Sequence, residues 1–424
     1  MSGRPELLLI TPVTPAETGN GLAMRAGLFL GALAADFEVS LLVVAVAGPP
    51  PTTWPSFVTA RTARRECVAL DGRADPAFDA ARSLPDAGPR LAALRAYPRP
   101  ALCRFATADN VASAAHRWAG RRFDAVHVMR LYLAPFAAPF LDGAAPRPRA
   151  VLDLDDDEAA TRRGLAALHA ARGEWGAATL EAAEADKYAA FEPEWLARFD
   201  RVLVCHDLDR AALGERAPAV ECRVIPNGIR LPDAPPAARS RDGVFRLLFV
   251  GTLGYLPNVA AADVLCREVL PLLARGGGDV AVDLVGRAPA PEVRRLAEER
   301  PAVRLCADVP DVAPFYAAAD AVVAPLRAGG GTRIKLLEAF ARGVPIVTTR
   351  LGALGLDVTD GVHLLLAETP EDIAAACRRL RDDPALGDRL RAEAARLVAE
   401  RYEASLVEGR IRRAHAELSS DRAP

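Results

Sequence analysis

"APLRAGGGTRIKLLEAFARGVPIV", Ala324 to Val347, runs from an apolar strand through three glycines and a charged helix entry to a second apolar strand. Ordering glycine costs backbone entropy, so Gly329, Gly330 and Gly331 in a row mark a place where something approaches the main chain closely. A helix start presents N–H groups, and with Arg333 and Lys335 beside it such a start suits a phosphate. A mobile strand-to-helix loop with solvated charges is the alternative. At about 100° per residue, Ile334, Leu336, Leu337, Phe340 and Ala341 share one arc, and Lys335, Glu338 and Arg342 form a narrow polar stripe. Arg333 falls within the apolar arc, a poor place for a guanidinium unless it escapes from the first turn, where its planar fork fits two phosphate oxygens. Glu338 lies more than a turn inside. Its carboxylate can accept two hydrogen bonds from a ribose diol, or pair along the helix with Lys335 or Arg342.

The strand–loop–helix–strand pattern repeats on both sides of this stretch. Before it come "FRLLFVGTLGY", a helix through Asn258–Ala274, "DVAVDLVGR", a helix near Glu292–Glu299, "VRLCADV" and "DAVVAPL". After it come "HLLLAE" and helices from Glu371 to about Ser419. The first half shows the same alternation: Glu6–Thr11, a helix over Gly27–Ala35, "EVSLLVVAVAG", "FDAVHVMR", "RAVLDLDD", "FDRVLVCHD" and "CRVIPNG", with a helical middle from about Glu158 to Arg198. Continuous apolar runs without alternation suit parallel strands covered on both faces. The Pro/Ala-rich "LPDAPPAARSRDG" reads as a linker. The expected organisation is a Rossmann-like domain over 1–228, a linker over 229–243, a second Rossmann-like domain over 244–400, and a C-terminal helix over 401–424 able to pack back on the first domain.

Composition sets the outer bounds. A chain of 424 residues with 51% hydrophobic content is long enough for two cores. The 53 basic and 55 acidic residues nearly cancel, so no charge balance argues for a nucleic-acid partner. Seven scattered cysteines without a C-x-x-C pair argue against both a disulfide framework and a zinc site. "MSGRPELLLITPVTP" lacks the features of a signal peptide, and no apolar stretch approaches the length of a membrane span. A cytoplasmic location is the expectation, with peripheral membrane contact left open.

Open parallel sheets bind ligands beyond the carboxyl ends of their strands. In the second half those ends carry "VGTLG" with Gly251 and Thr252, "VGRAP", "APLRAGGGTR" and "TTRLGALG". Small residues in all of these loops suit a nucleotide or another anionic ligand.

Five segments in order, "VIPNGI", "FVGTLGYLPN", "VPDVAPFYAAADAVVAPL", "GGGTRIKLLEAFARGVPIVTT" and "GALGLDV", resemble the retaining glycosyltransferases of family 4 (glycosyl transferases group 1). The resemblance covers nearly the whole chain. It implies an α/β protein of GT-B type, with two Rossmann-like parallel-sheet domains facing across a cleft. A nucleotide-diphosphate sugar would be held by the second domain. An acceptor, whether a saccharide, a lipid-linked group or a small molecule, would be held by the first, and neither metal nor cofactor is expected. The family pattern E-x7-E places its second Glu on Glu338, as the ribose ligand, and its first on Gly330, where no carboxylate exists. Many members carry an Arg and a Lys in the loop after the first strand of this domain, where the present chain has Thr252 and Asn258. Arg333 and Lys335, with the backbone at Gly331 and Thr332, are the expected substitutes facing the diphosphate.

In the first domain, "TPAETGNGLAMRAGLFL" resembles the family's glycine-containing loop, placing Gly19, Asn20 and Gly21 near the donor and Arg25 on the next helix. "DAVHVMR" resembles the family's VHxH strand end, with His127 at the first His and Met129 at the second. His127 is thereby an expected catalytic group beside Arg333 and Lys335, a packed structural histidine being the alternative; His206, at another strand end, is read in the same way. "DLDDDE" could suggest a metal-binding D-x-D, but its position before a long helical stretch favours a role at the helix start, or in lining the acceptor cleft. A nicotinamide-dependent dehydrogenase is disfavoured by the lack of a G-x-G-x-x-G with a downstream acid. A sugar-nucleotide epimerase and a non-catalytic nucleotide-sugar-binding homologue or partner subunit of a transferase remain as alternatives.

Overall fold

The structure is a computed structural model and describes residues 4–70, 72–232, 243–330 and 333–420. Most of the expected linker, at 233–242, lies outside the described residues, as do Gly331 and Thr332. The chain divides into two units, Met1–Pro226 with Val407–Pro424, and Asn227–Leu406.

In the first unit β1 (Glu6–Thr11) leads into α1 (Gly21–Leu33), followed by β2 (Glu38–Val44), β3 (Arg64–Val68), β4 (Ala125–Met129) and β5 (Arg149–Asp155). Helices α2 (Glu158–Ala171) and α3 (Trp175–Leu196) pack along each other, and β6 (Arg201–Val204), α4 (Asp207–Arg216) and β7 (Cys222–Val224) complete the sheet. Its order is β3-β2-β1-β4-β5-β6-β7, with every pairing parallel. Leu7, Leu8, Leu9 and Ile10 are all fully buried, as a strand covered on both faces requires.

The sequence reading omitted β3, whose residues Arg64, Arg65 and Glu66 are half-buried on an edge strand and show no apolar run. It also started α1 at Gly27. The helix begins six residues earlier because the Asn20 side chain accepts from Ala23 N at 2.8 Å, a cap that satisfies one orphan amide.

The second unit contains β8 (Val244–Val250), α5 (Leu256–Val264), β9 (Asp279–Gly286), β10 (Val303–Ala307), β11 (Ala321–Ala324), α6 (Ile334–Ala341), β12 (Ile346–Thr348) and β13 (Leu365–Leu366). The order β10-β9-β8-β11-β12-β13 is again parallel throughout and reverses direction between β8 and β11. Such a switch point is where an open α/β sheet leaves a crevice. The loops after β9, β8, β11 and β12 therefore follow four adjacent strands.

The chain ends in α7 (Ala404–Ser420), which from Val407 belongs to the first unit. There Arg412 forms a forked pair with Asp36, with both nitrogens 2.7 Å from the carboxylate. The fully buried Arg201 donates to the Ala414 carbonyl. Among the described residues no helix is long and apolar enough to cross a membrane.

Candidate functional site

The quoted stretch forms the expected strand, loop and helix, but the cations are arranged differently from expectation. The helix begins at Ile334 with Arg333 as its cap residue and no side-chain cap hydrogen bond. Gly329 has φ of 106°, a conformation open to glycine and rarely to other residues. The Arg333 guanidinium does not point outward: it folds back onto its own loop and donates to the carbonyls of Gly330 and, at 2.7 Å, Gly329. This corrects the expectation of a fork already aimed at a ligand. With Leu336, Leu337, Ala339 and Phe340 packed inward, the guanidinium is turned onto these loop carbonyls.

Lys335 turns toward the end of β8. Its Nζ donates to Asn258 Oδ1 at 2.7 Å and lies 4.8 Å from the centroid of the Phe249 ring. Asn258 in turn donates from Nδ2 to the Thr252 carbonyl at 2.9 Å. The ammonium therefore sits at the carboxyl end of β8, beside the switch point. Gly251 makes room for it: a Cβ there would stand 2.8 Å from Asn258 Nδ2 and 2.9 Å from Lys335 Nζ. Burial, helped by the neighbouring Arg333 and opposed by Glu338, lowers the lysine from its ordinary value to about 7.

Glu338, one turn further along α6, is half-buried and accepts from the Tyr316 hydroxyl at 3.3 Å. Among the described residues its carboxylate makes no ion pair with Lys335 or Arg342, so the helix-pair alternative does not hold it. Burial raises its pKa, against the pull of Arg342, the tyrosine hydrogen bond and Lys335. Gly251, Thr252 and Lys335 thus meet at the carboxyl end of β8, with Gly330 and Arg333 in the loop before α6 and Glu338 one turn along that helix. Sequence reasoning treated Asn258 only as a missing cation and did not single out Phe249 or Tyr316. Each lies within a segment already recognised, but their roles depend on contacts between elements.

The first unit carries the other candidates. Gly19 (φ 113°) and Asn20 are exposed in the loop after β1, and Gly21 opens α1. His127 is corrected. It is fully buried in β4, its ring tilted against Phe29 with centroids 4.8 Å apart, and with Nδ1 3.1 Å from Nε2 of His415 on α7. His415 Nδ1 lies 2.9 Å from the Ile411 carbonyl, so it is the donor there, and the neutral His415 accepts from His127 through Nε2. A ring closed in on all sides touches no substrate, and the structural alternative is the one observed. His206 caps α4 by accepting from Asp209 N at 3.2 Å.

The "DLDDDE" acids are taken up by arginines, a helix amide and a threonine hydroxyl. Arg25 holds Asp153 through contacts of 2.7 and 2.6 Å, and Arg130 holds Asp155 at 3.0 Å and also Glu158. Asp157 caps α2 by accepting from Ala160 N at 2.8 Å, the helix-start role that the sequence favoured. Asp156 accepts from Thr161 at 2.8 Å; burial, opposed by Arg130 and joined by Glu158 and Asp155, pushes its carboxyl up to about 7. Among the described residues no group of three or more His, Cys, Asp or Glu side chains is arranged to hold a metal ion.

Two parallel sheets of this order, the second with a lysine at its switch point, define a doubly wound α/β architecture. Comparison with known proteins makes it specific. Residues 244–383 match the family described as glycosyl transferases group 1. The D-inositol 3-phosphate glycosyltransferase of Thermomonospora curvata is 33% identical over 180 residues, 38% of this chain and 41% of the relative. The glycogen synthase of Mycobacterium tuberculosis is 35% identical over 188 residues, 42% of this chain and 43% of the relative. The chain thus spans less than half the length of these curated relatives. Across the whole chain, the sucrose-phosphate synthase of Thermosynechococcus elongatus superposes with a TM-score of 0.70 at 18% identity, covering 99% of this chain and 100% of that one. Anabaena HepE, solved with UDP and glucose, gives 0.61 at 15% identity, covering 98% and 100%. At these identities the likeness shows the fold, which is GT-B.

Proposed function

We propose that the protein is a glycosyltransferase that moves a sugar from a nucleoside-diphosphate sugar to a hydroxyl-bearing acceptor, with retention and without a metal. The observation that carries this reading is the ammonium of Lys335 brought over Gly251 at the carboxyl end of β8, with Glu338 one turn behind it. A diphosphate at that end would meet the lysine, and a ribose diol would meet the glutamate. The relatives named as glycosyltransferases and the match over 244–383 support the same chemistry.

In the reaction, the bond between the anomeric carbon and the β-phosphate oxygen breaks while the acceptor oxygen bonds to the same carbon. The acceptor proton passes to the departing phosphate. Among the described residues the Glu338 carboxylate is assigned to the ribose and Lys335 to the diphosphate, so attack from the face the phosphate leaves is favoured. The principal demand is neutralisation of the leaving diphosphate by preorganised donors, and Lys335 is the one in place. Arg333 contributes by bracing the Gly329–Gly330 turn and by adding positive charge beside it.

A thermal-shift screen of nucleoside diphosphates and their sugars, uridine and guanosine compounds first, tests the reading. Binding is expected for at least one base, and the combined Arg333→Ala and Lys335→Ala variant should bind that nucleotide about 100-fold more weakly, through loss of the Lys335 contact together with the bracing and charge of Arg333. Unchanged affinity would overturn the site. Gly251→Ala provides a finer check, because the atoms nearest its Cβ belong to the Asn258 amide and the Lys335 ammonium. The protein should fold, with affinity for the same nucleotide reduced about tenfold, equivalent to about 1.4 kcal/mol. Loss of folding with no specific effect on binding would instead make Gly251 a purely structural glycine.

A further inference from the structure

We infer that Asn258 is a positioning residue, holding the ammonium of Lys335 at the carboxyl end of β8 so that a side chain from one helix supplies the charge for a loop that has none. The inference rests on the donor-site reading above and deepens it.

The loop after β8, Gly251–Tyr255, contains no cation, and neither does the first turn of α5. Lys335 comes from α6, which follows β11, and reaches β8 because the two strands are neighbours in the sheet. At the end of that reach it meets one amide. Asn258 bonds in both directions, from Nδ2 to the Thr252 carbonyl at 2.9 Å and through Oδ1 with Lys335 Nζ at 2.7 Å. These partners fix which way the amide faces, since a reversed group would set N–H against an ammonium and oxygen against a carbonyl. With Asn258 only 6% exposed, water is a poor replacement for either bond.

The niche is otherwise unfavourable for a charge. Phe249 closes one side, and the place exists only because residue 251 lacks a side chain. The charges acting on the lysine are those of Arg333, which disfavours protonation, and Glu338, which favours it. Both lie at or within α6, while Asn258, Phe249 and Tyr316, from the facing elements, are neutral. Without the Asn258 oxygen, a compact, strongly hydrated ammonium on a flexible stem gains by withdrawing toward water or losing its proton. Either change removes it from the diphosphate.

The test is calorimetric titration of the full chain with UDP and with GDP between pH 6 and pH 8.5. The proteins are the wild type, Asn258→Ala, Lys335→Ala, the double alanine variant, and Asn258→Lys combined with Lys335→Ala. Each single alanine variant should bind about 10-fold or more weakly. The double variant should bind no more weakly than Lys335→Ala alone, because the amide acts through the lysine. In the wild type, affinity should fall as pH rises through about 7, where the lysine loses its proton. That limb should move to lower pH in Asn258→Ala, which lacks an acceptor favouring the charged form. A lysine at 258 has a longer stem that ends in the space Lys335 vacates, so the exchanged pair should regain most of the affinity.

Additive losses, or a pH limb that Asn258→Ala leaves in place, would overturn the positioning role while the donor site stands. Full affinity in Lys335→Ala would overturn the donor-site reading and this inference together. Should Asn258→Ala fail to fold, the exchanged pair decides: a folded protein that regains no affinity counts against the inference.

Discussion

Asp153→Ala is expected to lower the stability of the first unit by about 3–5 kcal/mol, the cost of leaving a buried charge without its partner. Arg25 is 1% exposed and Asp153 fully buried, and two contacts of 2.7 and 2.6 Å join them as a fork on a carboxylate. Burial alone would push the Arg25 guanidinium toward losing its proton, yet Asp153, with Cys205 and Asp155 nearby, holds its pKa above the ordinary value. Without Asp153 the guanidinium loses its forked carboxylate; the Ile225 carbonyl at 3.1 Å, the Phe29 ring at 5.1 Å and the more distant Asp155 at 3.4 Å are among the contacts that stay. Asp153→Asn retains one oxygen and should recover part of the loss. Urea unfolding followed by tryptophan fluorescence isolates the effect, because all four tryptophans, Trp54, Trp118, Trp175 and Trp195, belong to the first unit. A loss below about 1 kcal/mol would mean that the pair behaves like one at the surface.

The second large effect is a loss of stability in mild acid. Burial, with Arg201 adding to it and the Ile411 hydrogen bond and Asp36 opposing, lowers His415 from 6.5 to about 4. Burial and the charges of His415 and Arg25 drive His127 well below its ordinary value. A histidine whose folded pKa is depressed binds more protons unfolded, so stability is full above about pH 6.5 and is lost as pH falls toward 4. The drop from 6.5 to about 4 in His415 alone corresponds to about 3 kcal/mol. Protonating His415 also destroys the shared hydrogen bond, since its Nε2 then carries a proton facing the Nδ1–H of His127. Unfolding of the wild type and of His415→Gln, measured at pH 7, 5.5 and 4.5, should show a steeper decline in the wild type. Equal slopes would show that the pair does not control acid stability, and the helix α7 would owe its attachment to Arg412 and Arg201 instead.

Much of the fold was legible because its signal is local. β1, β4, β5, β8 and β11 are buried on both faces, so their apolar runs stand out without any knowledge of neighbours. β3 escaped notice for the converse reason. An edge strand needs only backbone pairing on one side, and Arg64, Arg65 and Glu66 give no apolar signal. The helical middle was read as one stretch, whereas Gly173, at φ 75°, separates α2 from α3. The start of α1 was hidden because a short Gly-Asn-Gly run looks like a loop until Asn20 is seen to cap the helix.

The candidate site divides along the same line. Glycines, a helix start and two cations in "GGGTRIK" indicated where an anion would be met. They could not show that Arg333 folds onto carbonyls three and four residues away, because helical phase ranks faces and does not choose hydrogen-bond partners. Nor could they pair Lys335 with Asn258 across 77 residues. His127 misled for the same reason: a histidine near a strand end looks available until α7 delivers His415 from 288 residues away.

By itself the sequence determined two successive parallel α/β halves and the strand ends at which chemistry would occur, because hydrophobic periodicity and turn residues act over a few neighbouring positions. Which polar groups meet was decided only by the tertiary structure. Strand order places the end of β8 beside β11, so a lysine on α6 finds an asparagine on α5; an arginine on α1 likewise finds its carboxylate on β5. Electrostatic and hydrogen-bond energies depend on distances of a few ångströms between such elements, and only the folded chain sets those distances.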